Sequence, residues 1–339
     1  MDTQRLETLP PPPGVIASLQ AGFNIVSSRI ALITLPLLLN IFLWLGPRVS
    51  IGEWYAALFN QSLTLLRQNG FPAQELAVYS ENAPLILGYF ERLNWLAWIR
   101  TLPVGIPALM LGIPKQLPVE TPIGLQSVVQ LPSFIVVLSS ILLLTFIGWV
   151  AGGLYFQIVA GASLGEEEAG ISLIRALIQT VFLSIIWSIA LAVVFIPLLF
   201  LIGLLGAFSA ILAQLAFFII LFFLFWLVVP LFFMPHGIFI RRQNAFLSII
   251  SSLRMSRFTL PTSSMFVLSV FLLSRGLSYL WLVPSSDSWL MLVGITGHAF
   301  ISTALLSASF VYYRDMNDWL QNMYDRFQQM SNRSSGKKV

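Results

Sequence analysis

The sequence predicts an all-α polytopic membrane protein with six transmembrane helices and an extracytoplasmic helical insert. Two compositional observations and one pattern lead to this fold class. Of the 339 residues, 57% are hydrophobic and 9% are Asp, Glu, Lys or Arg, whereas about 25% of the residues of a soluble domain are charged. The mean hydropathy is +0.86, and several apolar runs reach the roughly 20 residues that a helix needs to cross a bilayer. These values exclude a water-soluble globular protein.

The six spans are placed on apolar runs, because a helix satisfies its own backbone polar groups inside the hydrocarbon. They cover about residues 30–45, 134–164, 171–202, 210–240, 264–283 and 289–312. All belong to one membrane domain, 15–312, whose amphipathic start, 15–28, extends the first span backward. The first apolar run lacks a cleavage site and is expected to remain as an anchor. Between residues 173 and 240 the only charged side chain is Arg175, so the chain is expected to reverse direction at 203–206 (GLLG).

Lys and Arg predict the orientation of these helices, because cytoplasmic loops carry an excess of them. The connection between the fourth and fifth spans contains four basic residues and no acid: Arg241, Arg242, Arg254 and Arg257. The C-terminal tail, 313–339, is also basic, whereas the connection 284–288 has no Lys or Arg. We therefore expect both termini, including the Pro-rich residues 1–14, to be cytoplasmic. One loop disagrees, although acids weigh little in this rule: it contains Glu166, Glu167 and Glu168.

Residues 48–132 form an outward insert between the first two spans. Its five acidic and five basic residues balance, so it has no net electrostatic attraction for lipid or nucleic acid. Amphipathic patterns predict helices at 51–68 and 84–100, whose Trp and Tyr residues suit the headgroup layer of a membrane. Residues 102–132 are apolar yet rich in Pro and Gly. Two interpretations remain open: this segment covers the outer mouth of the bundle, or it is a re-entrant segment that lines a cavity.

Two amphipathic segments are expected on the cytoplasmic side. Residues 244–257 (NAFLSIISSLRMSR) have the pattern of a basic helix that lies on a membrane surface, where anionic lipid contributes about 1 kcal/mol per basic residue. The predicted contacts with membrane lipids are Arg241, Arg242, Arg254 and Arg257. The tail repeats apolar residues at intervals of three and four. It either lies on the surface in the same way or continues the sixth helix into the cytosol.

Ionisable side chains at membrane depth are candidates for a ligand site. Arg275 lies nine residues before Pro284, or about 13 Å below the outer end of the fifth span at 1.5 Å per residue. His298 is expected at a similar depth on the sixth span, and Asn40 could share the same ligand pocket. Arg275 could bind an anionic ligand such as a lipid phosphate, or it could extend outward to the interface or meet a structural partner. His298 could instead form a hydrogen bond between helices.

Small residues at four-residue spacing, such as Gly148 and Gly152, allow helices to approach closely. They fit either a contact within the bundle or a homo-oligomer, and other membrane proteins are further candidate partners.

No metal or cofactor site is expected, because the chain has no Cys and only two His residues. Templates such as HExxH and the Walker A loop are absent from the sequence, so we expect no catalytic activity. The net charge of +4 reflects membrane orientation rather than nucleic acid binding.

Three stretches carry a resemblance to a known group of proteins: 23–39 (FNIVSSRIALITLPLLL), 244–257, and 310–319 (FVYYRDMNDW). In them the chain resembles six-helix bacterial membrane proteins related to the membrane domain of glycerophosphodiester phosphodiesterases. The resemblance covers the spans and not the insert. The catalytic domain of those enzymes, with its metal-binding Glu and His residues, has no counterpart here. The resemblance therefore implies a module of the bacterial inner membrane and supplies no catalytic residue.

Three functional hypotheses follow from the sequence. The first is a non-enzymatic membrane module or scaffold that contacts lipid headgroups. The second is a permease for a lipid or small amphiphile, with a pocket near Arg275 and His298. The third is an intramembrane enzyme, which the missing metal-ligand sets disfavour.

Overall fold

The computed structural model describes residues 11–114, 117–164 and 171–335. The protein is all-α and 79% helical. Three features of the sequence lie outside the described residues: most of the Pro-rich N-terminus, the loop with Glu166, Glu167 and Glu168, and the basic end with Lys337 and Lys338.

Ten α-helices and four short strands follow one another along the described part of the chain. The helices are α1 (Val15–Ser28), α2 (Thr34–Leu45), α3 (Gly52–Gln68), α4 (Ala73–Arg92), α5 (Phe134–Leu164), α6 (Leu173–Phe208), α7 (Ala210–Phe233), α8 (His236–Arg241), α9 (Ala245–Trp281) and α10 (Met291–Ser335). Short 3₁₀ helices follow α1 and α4, at Ile30–Ile33 and Trp95–Ile99. The strands are β1 (Arg48–Ser50), β2 (Glu120–Thr121), β3 (Gly124–Leu125) and β4 (Val128–Gln130). β1 pairs with β4 in parallel and β2 pairs with β3 in antiparallel orientation.

Among the described residues, α5, α6, α9 and α10 are long and apolar enough to cross a membrane. The number rises to six if each of two bent helix pairs is one span: Val15–Ser28 with Ile30–Leu45, and Ala210–Leu224 with Trp226–Arg241. α6 exposes large apolar side chains such as Ile174, Val193 and Phe200, which water would disfavour and lipid would cover. These helices are compatible with an integral membrane protein that crosses the bilayer several times. The figure of six spans stays a prediction.

The reversal expected at 203–206 is wrong. α6 continues through both glycines to Phe208, and the chain leaves the helix only at Ser209, whose backbone is extended at φ −163° and ψ 126°. α7 begins at the next residue. Glycine is common in membrane helices, because no water competes there for the backbone hydrogen bonds. The glycine pair is therefore a poor predictor of a helix end in this apolar run.

The predicted basic helix at 244–257 and the fifth span join in one element, α9. The only non-helical backbone inside it is at Thr259, with φ −121° and ψ 17°, two residues before Pro261. This position agrees with the steric effect of proline on the preceding turn. The tail also becomes part of a long helix, since α10 continues to Ser335. The tail was expected either to lie on the membrane surface or to continue the last helix. Its residues 313–335 continue the last helix.

The first predicted helix of the insert, 51–68, is confirmed as α3, whereas the second is displaced. α4 begins at Ala73 and contains Pro84 in its interior, although the sequence favoured a helix that starts there. The side chain of Asn82 donates to the carbonyl of Val78 inside the helix and does not cap it. Trp95–Ile99 form a separate 3₁₀ helix, which begins with a hydrogen bond from the backbone of Leu96 to the Asn94 side chain.

The chain divides into two compact units. Unit 1 contains residues 1–32, 156–274 and 301–339, and unit 2 contains residues 33–155 and 275–300. The core of unit 1 is aromatic, and the rings of Phe266 and Tyr312 stack with centroids 4.2 Å apart. Unit 2 has two apolar clusters, one around Trp44 and one around Trp95. Each unit therefore has a buried core of its own.

Two buried amides hold the Pro- and Gly-rich segment 102–132 within unit 2. Asn40 on α2 is 0% exposed. Its Nδ2 donates to the carbonyls of Pro36 and Pro107, and its Oδ1 accepts from the amides of Leu109 and Met110. Gln126 donates to three carbonyls at the C-terminal end of α2, which are those of Leu43, Trp44 and Gly46. The segment therefore packs on α2 and lines a cavity, and both interpretations of its position in the membrane stay predictions.

Gly148 and Gly152 on α5 lie against the backbone that leads into this segment. A Cβ added at Gly152 would lie 2.7 Å from the Cα of Gly105, and one at Gly148 would lie 2.4 Å from the carbonyl oxygen of Ile99. Both distances are too short for any side chain. The two glycines thus make room for the backbone of residues 99–105 against the helix.

Candidate functional site

The buried face of the N-terminal part of α9 carries hydroxyl groups. Ser248 donates to the carbonyl of Met234, and Ser252 donates to the carbonyl of Pro230. These carbonyls lie at the break between α7 and α8, where the amide of Met234 bonds to Leu231 and the amide of Ile238 bonds to Pro235. The two carbonyls have lost their usual helical donors, and the serines replace them. The sequence of α9 therefore fixes which of its faces turns inward.

The opposite face of the same segment is exposed and combines apolar with basic side chains. Its exposed apolar residues are Phe246, Leu247, Ile250, Leu253 and Phe258. Arg254 and Arg257 lie on this face as well. The structure thus contains the basic amphipathic helix that the sequence predicts, with its inner side packed on unit 1.

Part of this face forms an open groove, which we call the basic groove. It has a volume of about 630 Å³ and is lined by Ile250, Leu253, Arg254, Arg257, Phe258 and Tyr324. The guanidinium carbon of Arg257 lies 5.9 Å from the centre of the Phe258 ring. That ring meets the ring of Tyr324 on α10 edge to face, with centroids 5.9 Å apart. Within the described part of the chain, neither Arg254 nor Arg257 belongs to an ion pair.

The other two predicted lipid contacts, Arg241 and Arg242, do not line the basic groove. Arg241 donates to Asp318 at 2.7 Å, so its charge is compensated by a carboxylate. Arg242 ends α8 in the left-handed conformation, with φ 52°, and its carbonyl accepts a hydrogen bond from Arg175. The four predicted residues therefore divide into two in the groove and two outside it.

Arg275 and His298 both lie in unit 2, near a residue that the sequence analysis did not select. Arg100, which ends the 3₁₀ helix 95–99, interacts electrostatically with each of them. Desolvation lowers the pKa of Arg100, and the charge of Arg275 lowers it further. Arg275 is exposed on α9, and the side chain of His298 is buried on α10. The one signal for Arg100 in the sequence is its position directly before the apolar segment 102–132.

Asn40, the third predicted ligand residue, has a different surrounding. Its amide oxygen and nitrogen both hydrogen-bond to the backbone, and neither is exposed. Through these hydrogen bonds the Asn40 side chain attaches the segment 102–132 to α2. We therefore assign it to positioning that segment.

Residues 161–165 (GASLG) have the spacing of the nucleophile motif GxSxG, so the expectation that the sequence contains no such motif is wrong. That motif is functional on a sharp turn between a strand and a helix. Here residues 161–164 lie inside α5, and the hydroxyl of Ser163 donates to the carbonyl of Val159 and shares a hydrogen bond with Ser307. Ser163 is 5% exposed. Its role is therefore to connect α5 with α10.

The basic groove has the chemistry of a phosphate site at a membrane surface. Guanidinium groups bind phosphate oxygens with charge-assisted hydrogen bonds, and exposed apolar side chains beside them suit the boundary between headgroups and acyl chains.

In comparisons with known proteins, no family model, no curated protein and no solved structure matches this chain.

Proposed function

We propose that the protein is a non-enzymatic module of the bacterial inner membrane that binds anionic phospholipid headgroups at its cytoplasmic face. The observation that carries this proposal is the basic groove. In this groove two arginines lie next to exposed apolar side chains. Neither arginine forms an ion pair with a described residue.

The groove suits a lipid that lies partly in the headgroup layer and partly among acyl chains. Leu253 and Phe258 would enter the acyl boundary, while Arg254 and Arg257 would reach the phosphate, because long basic side chains extend toward the interface. Each arginine near an anionic surface contributes about 1 kcal/mol. The positive-inside rule supports a cytoplasmic position for this groove and for both termini. A scaffold for other envelope proteins, or for a second copy of this chain, is consistent with such a role.

The test is the retention of phosphatidylglycerol by the full-length protein in detergent, measured by native mass spectrometry against phosphatidylcholine. We expect the double variant Arg254→Gln, Arg257→Gln to lose about 2 kcal/mol of binding, which is about 30-fold in affinity. The charge-matched control is Arg241→Gln with Arg242→Gln, which removes the same charge outside the groove and should lose less. Equal affinity of the groove variant and the wild type for phosphatidylglycerol would refute the proposal.

A second candidate function, a permease for a lipid or small amphiphile, is favoured by the interaction of Arg100 with both Arg275 and His298. A guanidinium pair next to an imidazole could bind a solute phosphate on its path. This function predicts flux of a labelled lipid across proteoliposomes that falls in Arg275→Gln and not in the groove variant. Wild-type flux equal to that of empty liposomes would eliminate it.

A further inference from the structure

Unit 2 contains a second cavity, which we call the Arg48 cavity. It has a volume of about 790 Å³, within the range of roughly 300–1,000 Å³ that is usual for ligand pockets. Its walls come from the end of α2, from residues 109–114 and 118–126, and from residues 282–291 between α9 and α10. None of its lining residues belongs to the basic groove.

Several hydrogen bonds fix the walls of this cavity. Asn40 and Gln126 hold the segment 102–132 on α2, as described above. On the opposite wall, Trp44 donates its indole N–H to the carbonyl of Ser286 at 2.7 Å, and its ring packs edge to face on Trp289. Because three connections attach the non-helical walls to the same helix, the cavity is already formed without a ligand.

Three of the described charged residues line the cavity: Arg48 is buried, whereas Glu120 and Asp287 are exposed. Arg48 is 6% exposed and donates one hydrogen bond from Nη2 to the carbonyl of Arg92. Desolvation lowers the pKa of Arg48, and within the described residues Arg48 is in no ion pair. Glu120 and Asp287 also line the cavity, and both are exposed. A guanidinium has five N–H donors, so Arg48 keeps donors for a ligand anion.

The remaining lining residues include the apolar side chains of Trp44, Ile113 and Val283, beside polar ones such as Gln126 and Ser285. A complementary ligand therefore has an anionic group for the buried guanidinium, a cationic group for the exposed carboxylates, and an apolar part. A purely anionic ligand would meet two carboxylates, and a purely cationic one would meet the buried arginine.

We propose that the Arg48 cavity binds the phosphoethanolamine headgroup of a phospholipid, with its phosphate at Arg48 and its primary ammonium at Glu120 and Asp287. The phosphate would form charge-assisted hydrogen bonds with the guanidinium. The ammonium has three N–H donors for the two carboxylates. The glycerol and acyl chains would lie along the apolar wall.

The experiment is titration of the full-length protein in detergent with three short-chain lipids that differ only in the headgroup. Dihexanoyl phosphatidylethanolamine offers phosphate and N–H donors, the phosphatidylcholine analogue has the same charges without N–H donors, and the phosphatidylglycerol analogue lacks the cation. We expect the first to bind at least tenfold more tightly than the other two. Equal affinities for the ethanolamine and choline lipids would overturn the proposal.

Variants separate the two ends of the headgroup. Glu120→Gln with Asp287→Asn changes two exposed side chains and should reduce ethanolamine binding to the choline level without affecting folding. Arg48→Gln should weaken all three lipids at least tenfold, whereas Arg67→Gln, at an exposed position on α3, should have no effect. Unchanged ethanolamine binding in the carboxylate variant contradicts the proposal even if Arg48→Gln fails to fold.

A competition arm identifies the source of the headgroup. Glycerophosphoethanolamine carries the same charges without acyl chains, and it should compete with the short-chain lipid only at higher concentration if the apolar wall contributes. Equal potency of the two would contradict a lipid as the ligand. The basic-groove variant Arg254→Gln, Arg257→Gln should leave these affinities unchanged, so this inference and the proposed function can fail independently.

Discussion

Two sets of buried side chains, one in each unit, bond to backbone groups that lack a helical partner. In unit 1 the set consists of hydroxyls, beside amides such as that of Gln179. Ser248 and Ser252 bond to carbonyls at the break before α8, and Ser263 lies in a chain of hydrogen bonds between Thr259 and Tyr312. Unit 2 uses the longer amides of Asn40 and Gln126, which reach the backbone of a non-helical segment. The difference lies in how far each side chain extends from its own helix.

This difference has consequences for where a ligand can bind. Short hydroxyls allow helices to pack closely, and the interior of unit 1 is accordingly filled by stacked aromatic rings such as Phe233, Phe266 and Tyr312. Its groove lies on the surface. Longer amides support a segment beside the helix, and unit 2 contains a cavity between that segment and α2. Both the groove and the cavity are open to the surface, and they differ in their walls: helix faces in unit 1, and a non-helical segment beside α2 in unit 2.

Removing the main amide of unit 2 should have the largest effect. Asn40→Ala leaves the amides of Leu109 and Met110 and the carbonyl of Pro107 without this partner, and each buried unsatisfied group costs about 1–3 kcal/mol. We expect the free energy of unfolding to fall by about 3 kcal/mol or more. Thermal unfolding in detergent, followed by circular dichroism, measures this change.

Asn60→Ala is the control for this variant, since Asn60 is exposed on α3 and should unfold like the wild type. Limited proteolysis should in addition cleave Asn40→Ala within 102–132 earlier than the wild type. If both variants unfold at the same temperature, the amide does not hold the segment.

An intermediate effect is expected from Gly152→Ala, which tests how closely the segment approaches α5. The added methyl would lie 2.7 Å from the Cα of Gly105, and overpacking of this kind costs about 1–3 kcal/mol. Gly161→Ala on the same helix has no neighbour within 4 Å and should be neutral or slightly stabilising, because alanine favours helix. The melting temperatures of the two variants should therefore shift in opposite directions. A shared direction would mean that residues 99–105 do not lie against α5.

The smallest effect is expected for the hydroxyls of unit 1. Ser252→Ala removes one hydrogen bond to the carbonyl of Pro230, and such bonds between membrane helices are worth about 0.6 kcal/mol on average. Ser269→Ala is the matched control, because that hydroxyl bonds only to Met265 of its own helix. A loss in Ser252→Ala as large as that of Asn40→Ala would remove the contrast between the units.

Long apolar helices could be predicted from the sequence, and the details that depend on tertiary contacts could not. The apolar run that predicts 134–164 begins where α5 begins, because hydropathy largely determines such a helix. The turn at 203–206 was misplaced because glycine is a weak helix breaker in an apolar surrounding. The start of α4 was missed because Pro84 looked like an N-terminal residue, although it lies within the helix.

The candidate sites were predictable to the extent that they follow a helical pattern. Arg254 and Arg257 recur with exposed apolar residues on one face of α9, and the periodicity of 244–257 shows this. Arg48 and Arg100 lie at the ends of short elements, and their environment depends on a segment distant in the chain. Asn40 illustrates the same limit, since its partners lie about 70 residues away in the sequence.

The junction at Ser209 limits where the topology of this protein can be mapped. One extended residue connects two long helices. An epitope or reporter inserted there would therefore disrupt the ends of both helices, because no loop separates them. The exposed turn at Asn69 and Gly70, between α3 and α4, has a glycine with φ 76° and open space around it. A reporter placed in that turn would reveal the sidedness of the insert and leave both neighbouring helices intact.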